Sequence, residues 1–290
     1  MILVTGATGT VGRELVPLLS ARGAAFKAMV RRDADRDALV RKGVTAVVAD
    51  FTHPVRLSEA LAGIEQVYLV GPADSPHVTR EDAVIDAARR AGVRRIVKQS
   101  AMAAHDTSAC AFKRWNGMVE RQLMQSGLKY TILRPTGFMQ NFVNYDAARI
   151  VATGAIRAPL GDARVSWIDV RDIAAVAAAV LCEEEHEGRI YDLSGPEALS
   201  HYEIATKLSS AVGREIRYAP LSDAEAFREM LARGLPASAA RSMLSLYQAY
   251  REAGTGPVTG WVEILTGRSP RSFDAFAQEH ADRFRSPAAA

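Results

Sequence analysis

The chain has 290 residues, enough for one large α/β domain with an elaborated C-terminal part or for two modest domains. Its 36 basic and 33 acidic residues leave a net charge of +3 with no basic block, so nucleic acid is not an implied partner. Cys110 and Cys182 stand far apart without metal-ligand spacing, no apolar run nears the ~20 residues of a bilayer span, and the chain begins inside its first strand. A cytoplasmic protein is expected, with no disulfide framework, no membrane contact and a monomeric or homodimeric state.

The apolar run Ile2-Leu3-Val4 leads directly into Gly6-Ala7-Thr8-Gly9-Thr10-Val11-Gly12, which reads as a buried strand, a glycine turn and a helix start. Val11, Leu15, Leu18 and Leu19 mark one face of that helix, and Pro17 is expected to kink it or to weaken it. Gly6 permits the tight turn, Gly9 lets a pyrophosphate approach the backbone, and Gly12 lets the helix pack close to the sheet. Gly6, Thr8, Gly9, Thr10, Val11 and Gly12 are therefore candidates to hold a dinucleotide on free amides at the positive end of the helix. The alternative is a chance glycine turn in an α/β protein.

Further strands are predicted at Ala25 to Val30, Ala46 to Ala49, Gln66 to Val70, Arg95 to Gln99 and Tyr130 to Arg134, the last ended by Pro135. Between them, Leu57 to Ala62, Thr79 to Ala91 and Trp115 to Ser126 have helical spacing, with Gly63, Gly92 and Gly127 as C-terminal caps. This alternation implies right-handed βαβ units and a parallel sheet. Beyond Pro135 the pattern loosens until an alanine-rich helix from Asp172 to Leu181, a strand from Ile190 to Leu193 at the sheet edge, and a helix opened by Ser200 with Glu203 at capping-box spacing. Helices at Asp223 to Ala232 and Ala237 to Ala253 follow, and Ser286 to Ala290 reads as a frayed tail. The fold class expected is α/β: a doubly wound, Rossmann-type parallel sheet over 1–150, completed by parts of 160–195, with a smaller, mainly helical substrate lobe over 196–290.

Arg31 and Arg32 follow the second strand, where such folds read the adenosine ribose. A guanidinium there matches a 2′-phosphate by charge-assisted bidentate bonds, which favours NADP(H) over NAD(H), although Asp33 and Asp35 leave room for NAD and a solvated Arg pair is the alternative. Gly71 and Pro72 end the fourth strand at the carboxyl edge, as a cofactor contact or an ordinary turn. Ser100, after the fifth strand, is placed to bond a substrate carbonyl or the nicotinamide ribose, or to cap a turn. Lys113 lies near the same cleft, against the plainer reading of a solvated lysine at a helix start. Pro135 and Phe138 border the cofactor, and Trp115, Phe138, Met139, Asn141 and Phe142 form a substrate wall or a packed core. The six histidines show no ligand spacing, so no metal is expected, and no GxSxG elbow points to a hydrolase.

The opening GATGTVG, the segment Ser126 to Pro135, the segment Trp167 to Ile173 and the ending Leu265 to Phe273 together resemble the NmrA-like atypical short-chain dehydrogenase/reductases. Members include NADPH-dependent quinone reductases, triphenylmethane dye reductases, isoflavone and benzylic ether reductases, and regulators that bind dinucleotide without turnover. The resemblance implies that Asp50 and Phe51 contact the adenine, with capping of the following turn as the other role for Asp50. Related short-chain enzymes transfer a proton through Tyr-x-x-x-Lys with a nearby Ser. Counted back from Ser126-Gly127, the corresponding pair here is Phe112 and Asn116, neither able to act as the acid, and the resembling quinone and dye reductases often carry histidine where Asn116 stands.

The function expected is NADPH-dependent hydride transfer to a small electron-poor, aromatic or quinonoid molecule, with Ser100, Lys113 and Asn116 as the candidates near the chemistry. The alternatives are a non-catalytic NADP(H)-binding sensor and an isomerase or dehydratase that recycles bound cofactor.

Overall fold

The computed structural model describes residues 1–71 and 77–285. In chain order its elements are β1 (Ile2–Val4), α1 (Gly12–Ala21), β2 (Phe26–Val30), α2 (Asp33–Val40), β3 (Ala46–Val48), α3 (Pro54–Leu61), β4 (Gln66–Leu69), α4 (His77–Arg90), β5 (Arg95–Gln99), α5 (Ala111–Gln125) and β6 (Lys129–Pro135). A π-helical turn at Phe142–Asp146 then leads into α6 (Ala147–Thr153), β7 (Ala155–Ala158), α7 (Val170–Cys182), β8 (Arg189–Leu193), α8 (His201–Val212) and β9 (Arg217–Pro220). The chain continues through α9 (Asp223–Ala232), α10 (Ala237–Ala253), α11 (Trp261–Thr266) and α12 (Phe273–Glu279).

Seven strands form one parallel sheet in the order β3-β2-β1-β4-β5-β6-β8. Ile2 pairs with Phe26 on one side and Gln66 on the other, and Arg95 pairs with both Gln66 and Lys129. The strand order reverses between β1 and β4, so the loops after these strands part and leave a crevice at the carboxyl edge. Leu3, Val4, Val67, Tyr68, Leu69, Ile96 and Val97 are fully buried, as expected of strands covered on both faces. One face packs on α1 and α7 through Leu15, Leu19, Ile173 and Ala177. The opposite face packs on α3, α4 and α5 through Leu57, Leu61, Ile85, Val119 and Leu123.

Helix α1 runs unbroken through Pro17, which stands exposed on its outer side. Alanines on α7 (Ala174, Ala177, Ala178, Ala179) let it sink between the sheet and α1, so it is buried almost all round. The capping box expected at Ser200 and Glu203 opens α8, and Ser222 with Glu225 makes a second one on α9. Gly63, Gly92 and Gly127 follow their helices with φ of 70°, 74° and 81°.

A second core joins Met139, Phe142, Ile150, Ile156 and Trp167 to Leu199, Ile204, Leu208, Tyr218, Phe273 and Phe276. It includes a two-stranded parallel sheet, β7 with β9, which pairs Ala155 with Arg217. The segment after β6 therefore packs with residues beyond 199, whereas Val262 on α11 returns to the first core. Among the described residues no helix is long and apolar enough to cross a membrane.

Candidate cofactor and active site

The loop after β1 is shaped by backbone packing. Thr5 ties it to β4: its Oγ1 donates to the Tyr68 carbonyl at 2.9 Å and accepts from the Val70 amide at 2.9 Å. Gly6 has φ +60°, and a Cβ there would lie 2.6 Å from Val70 Cγ1. The turn closes by a bond from the Gly9 amide to the Gly6 carbonyl at 2.8 Å, and α1 joins it through Arg13 N–H to the Gly9 carbonyl at 3.0 Å. A Cβ at Gly12 would fall 2.1 Å from the Gly6 carbonyl oxygen and 2.8 Å from Ala7 Cα, so Gly12 seats the helix on the loop itself. Val11 anchors its side chain in the core, while Gly6, Gly9 and Thr10 are exposed and Thr8 is half-buried. An open rim of small residues at a helix N-terminus is what a dinucleotide diphosphate requires, and the residues present fit that group.

Directly after β2, Arg31 and Arg32 are both exposed. Arg32 forks onto Asp35, with Nε to Oδ2 at 2.8 Å and Nη2 to Oδ1 at 2.9 Å, and these bonds hold the Asp35 carboxyl below its ordinary range. Arg13 and Arg31 act on the same carboxylate. Asp50 accepts from the Thr52 amide at 2.8 Å and the Thr52 hydroxyl at 2.6 Å, so it does cap its turn, and these bonds lower its pKa. Phe51 lies half-buried against the α3–α5 core.

Gly71, after β4, donates its amide to Glu81 Oε1 at 2.6 Å. Pro72 lies outside the described residues. Glu81 pairs with Lys98 on β5, which also donates to Asn116 Oδ1 at 3.2 Å, and Asn116 Nδ2 donates to the Phe112 carbonyl at 3.0 Å. Asn116 is buried, engaged on both ends of its amide, and turned toward the strand.

Ser100, also buried, gives its hydroxyl proton to Glu120, leaving its oxygen as an acceptor. Glu120 in turn accepts both arms of Arg134, and these bonds hold the Arg134 guanidinium above its ordinary range. Burial pushes the nearby Asp192 carboxyl up, with Arg134 opposing. Lys113, half-buried, sits with Nζ 6.0 Å from the centre of the Tyr250 ring on α10, so it faces the α5–α10 seam. Trp115 is half-buried on the same turn.

After β6 the chain passes Trp167 so closely that a Cβ on Gly137 would lie 2.5 Å from the indole. Pro135 is buried and bonds the Met102 amide at 2.9 Å through its carbonyl. Met139 and Phe142, only 1% and 2% exposed, point into the second core, where Phe142 meets Trp167 edge-on at 5.0 Å. Phe138 and Asn141 keep accessible surface.

The six strand ends thus bring Gly6 to Gly12, Arg31, Arg32, Asp50, Gly71, Ser100 and Pro135 to one edge of the sheet, with Lys113 and Trp115 on the first turns of α5. Sequence reasoning missed Arg13, Glu81, Glu120 and Tyr250. Two of these left a signal: Arg13 directly follows Gly12, and Glu120 stands four residues after Asn116 on one helix face. Among the described residues no group of three or more His, Cys, Asp or Glu could hold a metal ion.

The sequence matches the NmrA-like family over residues 1–274. It is 39% identical over 284 residues to the NAD(P)H azoreductase of Xenophilus azovorans, covering 98% of this chain and 99% of that one. It is 38% identical over 285 residues to the (4-alkanoyl-5-oxo-2,5-dihydrofuran-3-yl)methyl phosphate reductase of Streptomyces griseus subsp. griseus, with 98% and 99% covered. Among solved structures, the NADPH complex of the quinone oxidoreductase QOR2 from Escherichia coli superposes with a TM-score of 0.89 at 28% identity, over 96% of this chain and 99% of that one. The chain belongs to the NmrA-like family.

Proposed function

We propose that the protein is an NAD(P)H-dependent reductase, with NADPH preferred, that reduces a small electron-poor acceptor without a Tyr-Lys acid pair. The carrying observation is the glycine cradle, where a Cβ at Gly12 would enter the Gly6 carbonyl. When bound, the reduced nicotinamide supplies the hydride.

The chain's own residues bind and orient. Loop amides and the positive end of α1 take the diphosphate, Arg31 takes the 2′-phosphate, and Asp50 and Phe51 border the adenine. Gly71, Ser100, Pro135 and Phe138 border the nicotinamide half. Trp115, Phe138 and Asn141 face the acceptor, with Met139 and Phe142 stiffening that wall from behind. The lobe beyond residue 196, together with the segment after β6 that packs on it, excludes water from the transfer.

Proton supply limits the substrate. Phe112 has no proton to give, and the Asn116 amide is engaged by Lys98 and the Phe112 carbonyl. An acceptor that becomes a stabilised anion needs no strong protein acid. The three relatives support this class, since their names carry an azo group, an unsaturated lactone and a quinone.

The test is loss of reduced-nicotinamide absorbance with a panel of quinones, azo compounds, triarylmethane dyes and unsaturated lactones, against enzyme-free controls. Catalytic loss with one class is expected. No loss with any of them, while NADPH binding is intact, would favour a sensor.

A further inference from the structure

Asp35, at the cofactor edge after β2, is paired with Arg32 and feels the positive charge of two further arginines. Arg32 holds it in a bidentate fork at 2.8 and 2.9 Å, and Arg13, from the first turn of α1, and Arg31 act on the same carboxylate. Its neighbours on α2 are engaged elsewhere: Asp33 pairs with Arg36 at 2.6 Å and Asp37 pairs with Arg36 at 2.8 Å. The Arg32 side chain is 76% exposed and that of Asp35 only 21% exposed, so Arg32 is held by the carboxylate rather than by packing. Asp35 also lies in the first turn of α2, where the helix dipole favours a negative charge.

A cofactor 2′-phosphate would seek the same guanidiniums. It would find Arg32 already neutralised in the fork geometry that suits a phosphate, and a fixed negative charge beside it. We propose that Asp35 is a built-in counter-anion that sets the discrimination between NADPH and NADH: it weakens capture of the 2′-phosphate and keeps the unphosphorylated cofactor usable. Arg31 and Arg13 then carry the phosphate preference, and Arg32 contributes little while Asp35 is present. The inference rests on the reading that a nicotinamide dinucleotide binds at this edge.

Direct titration of the full chain with NADPH and with NADH, without acceptor, tests it in the wild type, Asp35→Asn and Asp33→Asn. Asp33→Asn changes the net charge equally on the same helix turn and controls for it. Asp35→Asn is expected to raise the NADPH-to-NADH affinity ratio about five- to twentyfold at low salt, with NADH affinity held within about twofold, and the gain should shrink as salt rises. Asp33→Asn is expected to leave the ratio within about twofold. An unchanged ratio in Asp35→Asn would overturn the proposal. So would a fall in NADPH affinity, which would make Asp35 the residue that positions Arg32 for the phosphate. Failure of the wild type to bind either cofactor would instead overturn the cofactor reading, and the proposal with it.

Discussion

Lys98 and Glu81 form an ion pair, Nζ to Oε2 2.9 Å, with both side chains wholly shielded from solvent. Through Glu81 the pair holds the Gly71 amide at the end of β4, and through Lys98 it holds Asn116 on α5. Removing the carboxylate strands the buried Lys98 ammonium, so Glu81→Leu is expected to cost about 3–5 kcal/mol, whereas Glu81→Leu combined with Lys98→Met should recover much of the loss. Urea unfolding of the single and double variants checks this. A single variant within about 1 kcal/mol of wild type would mean the charge is relieved by other means.

Gly12 is expected to tolerate no side chain. Gly12→Ala must push α1 away from the Gly6 carbonyl, which should cost about 1–3 kcal/mol and weaken dinucleotide binding more than tenfold. Gly23→Ala is the contrast, since nothing lies within 4 Å of its Cβ and only its φ of +65° is strained. That variant should lose about 1 kcal/mol and no cofactor affinity. Thermal unfolding and NADPH titration of both separate the two effects.

Arg31→Ala should weaken NADPH about tenfold or more and leave NADH within about twofold, because a guanidinium reads the 2′-phosphate and nothing else that distinguishes the two cofactors. Equal losses for both would remove Arg31 from the phosphate site.

His201 gives a stability signature in pH. Burial among Phe142, Trp167 and Tyr218 depresses its pKa from 6.5 to about 4. The folded state keeps the ring neutral while the unfolded chain takes up a proton below about pH 6.5. This contribution is therefore present in full above pH 6.5 and lost as pH falls toward 4, amounting to about 2 kcal/mol between pH 7.5 and pH 5. Asp82 acts in the opposite sense, since burial, with Asp86 and Glu81 nearby, pushes its carboxyl up to about 6. The clean measurement is thus the pH dependence of wild type minus that of His201→Phe. A zero difference would show that His201 titrates normally in the fold.

Much of the fold was legible because parallel strands covered on both faces are short apolar runs bounded by glycine and helix caps. Arg95 to Gln99, Asp223 to Ala232 and Ala237 to Ala253 were expected at the observed limits. β7 and β9 escaped notice: Ala-Ile-Arg-Ala and Arg-Tyr-Ala-Pro carry no clear alternation, and their pairing joins residues about 60 positions apart. The glycine loop was readable because its requirement is local, a turn with no room for Cβ.

The polar networks were not readable in that way. Ser100 with Glu120 and Arg134, and Lys98 with Glu81 and Asn116, are assembled only when α4 and α5 dock on the sheet. Direction was equally hidden in the stretch after Pro135. Met139 and Phe142 have the composition of a ligand wall, but they turn into a second core whose other half lies beyond residue 199.

The most direct measurement is a single turnover with NADPH carrying deuterium at both C4 positions of the nicotinamide and an unsaturated lactone as acceptor, where the new bond is a stable C–H. The expected product carries one deuterium on the carbon β to the carbonyl, and Gly12→Ala needs more than tenfold higher NADPH to give it at the same rate. Product lacking deuterium, or no product across the acceptor panel while NADPH is bound, would contradict direct hydride transfer at this edge of the sheet.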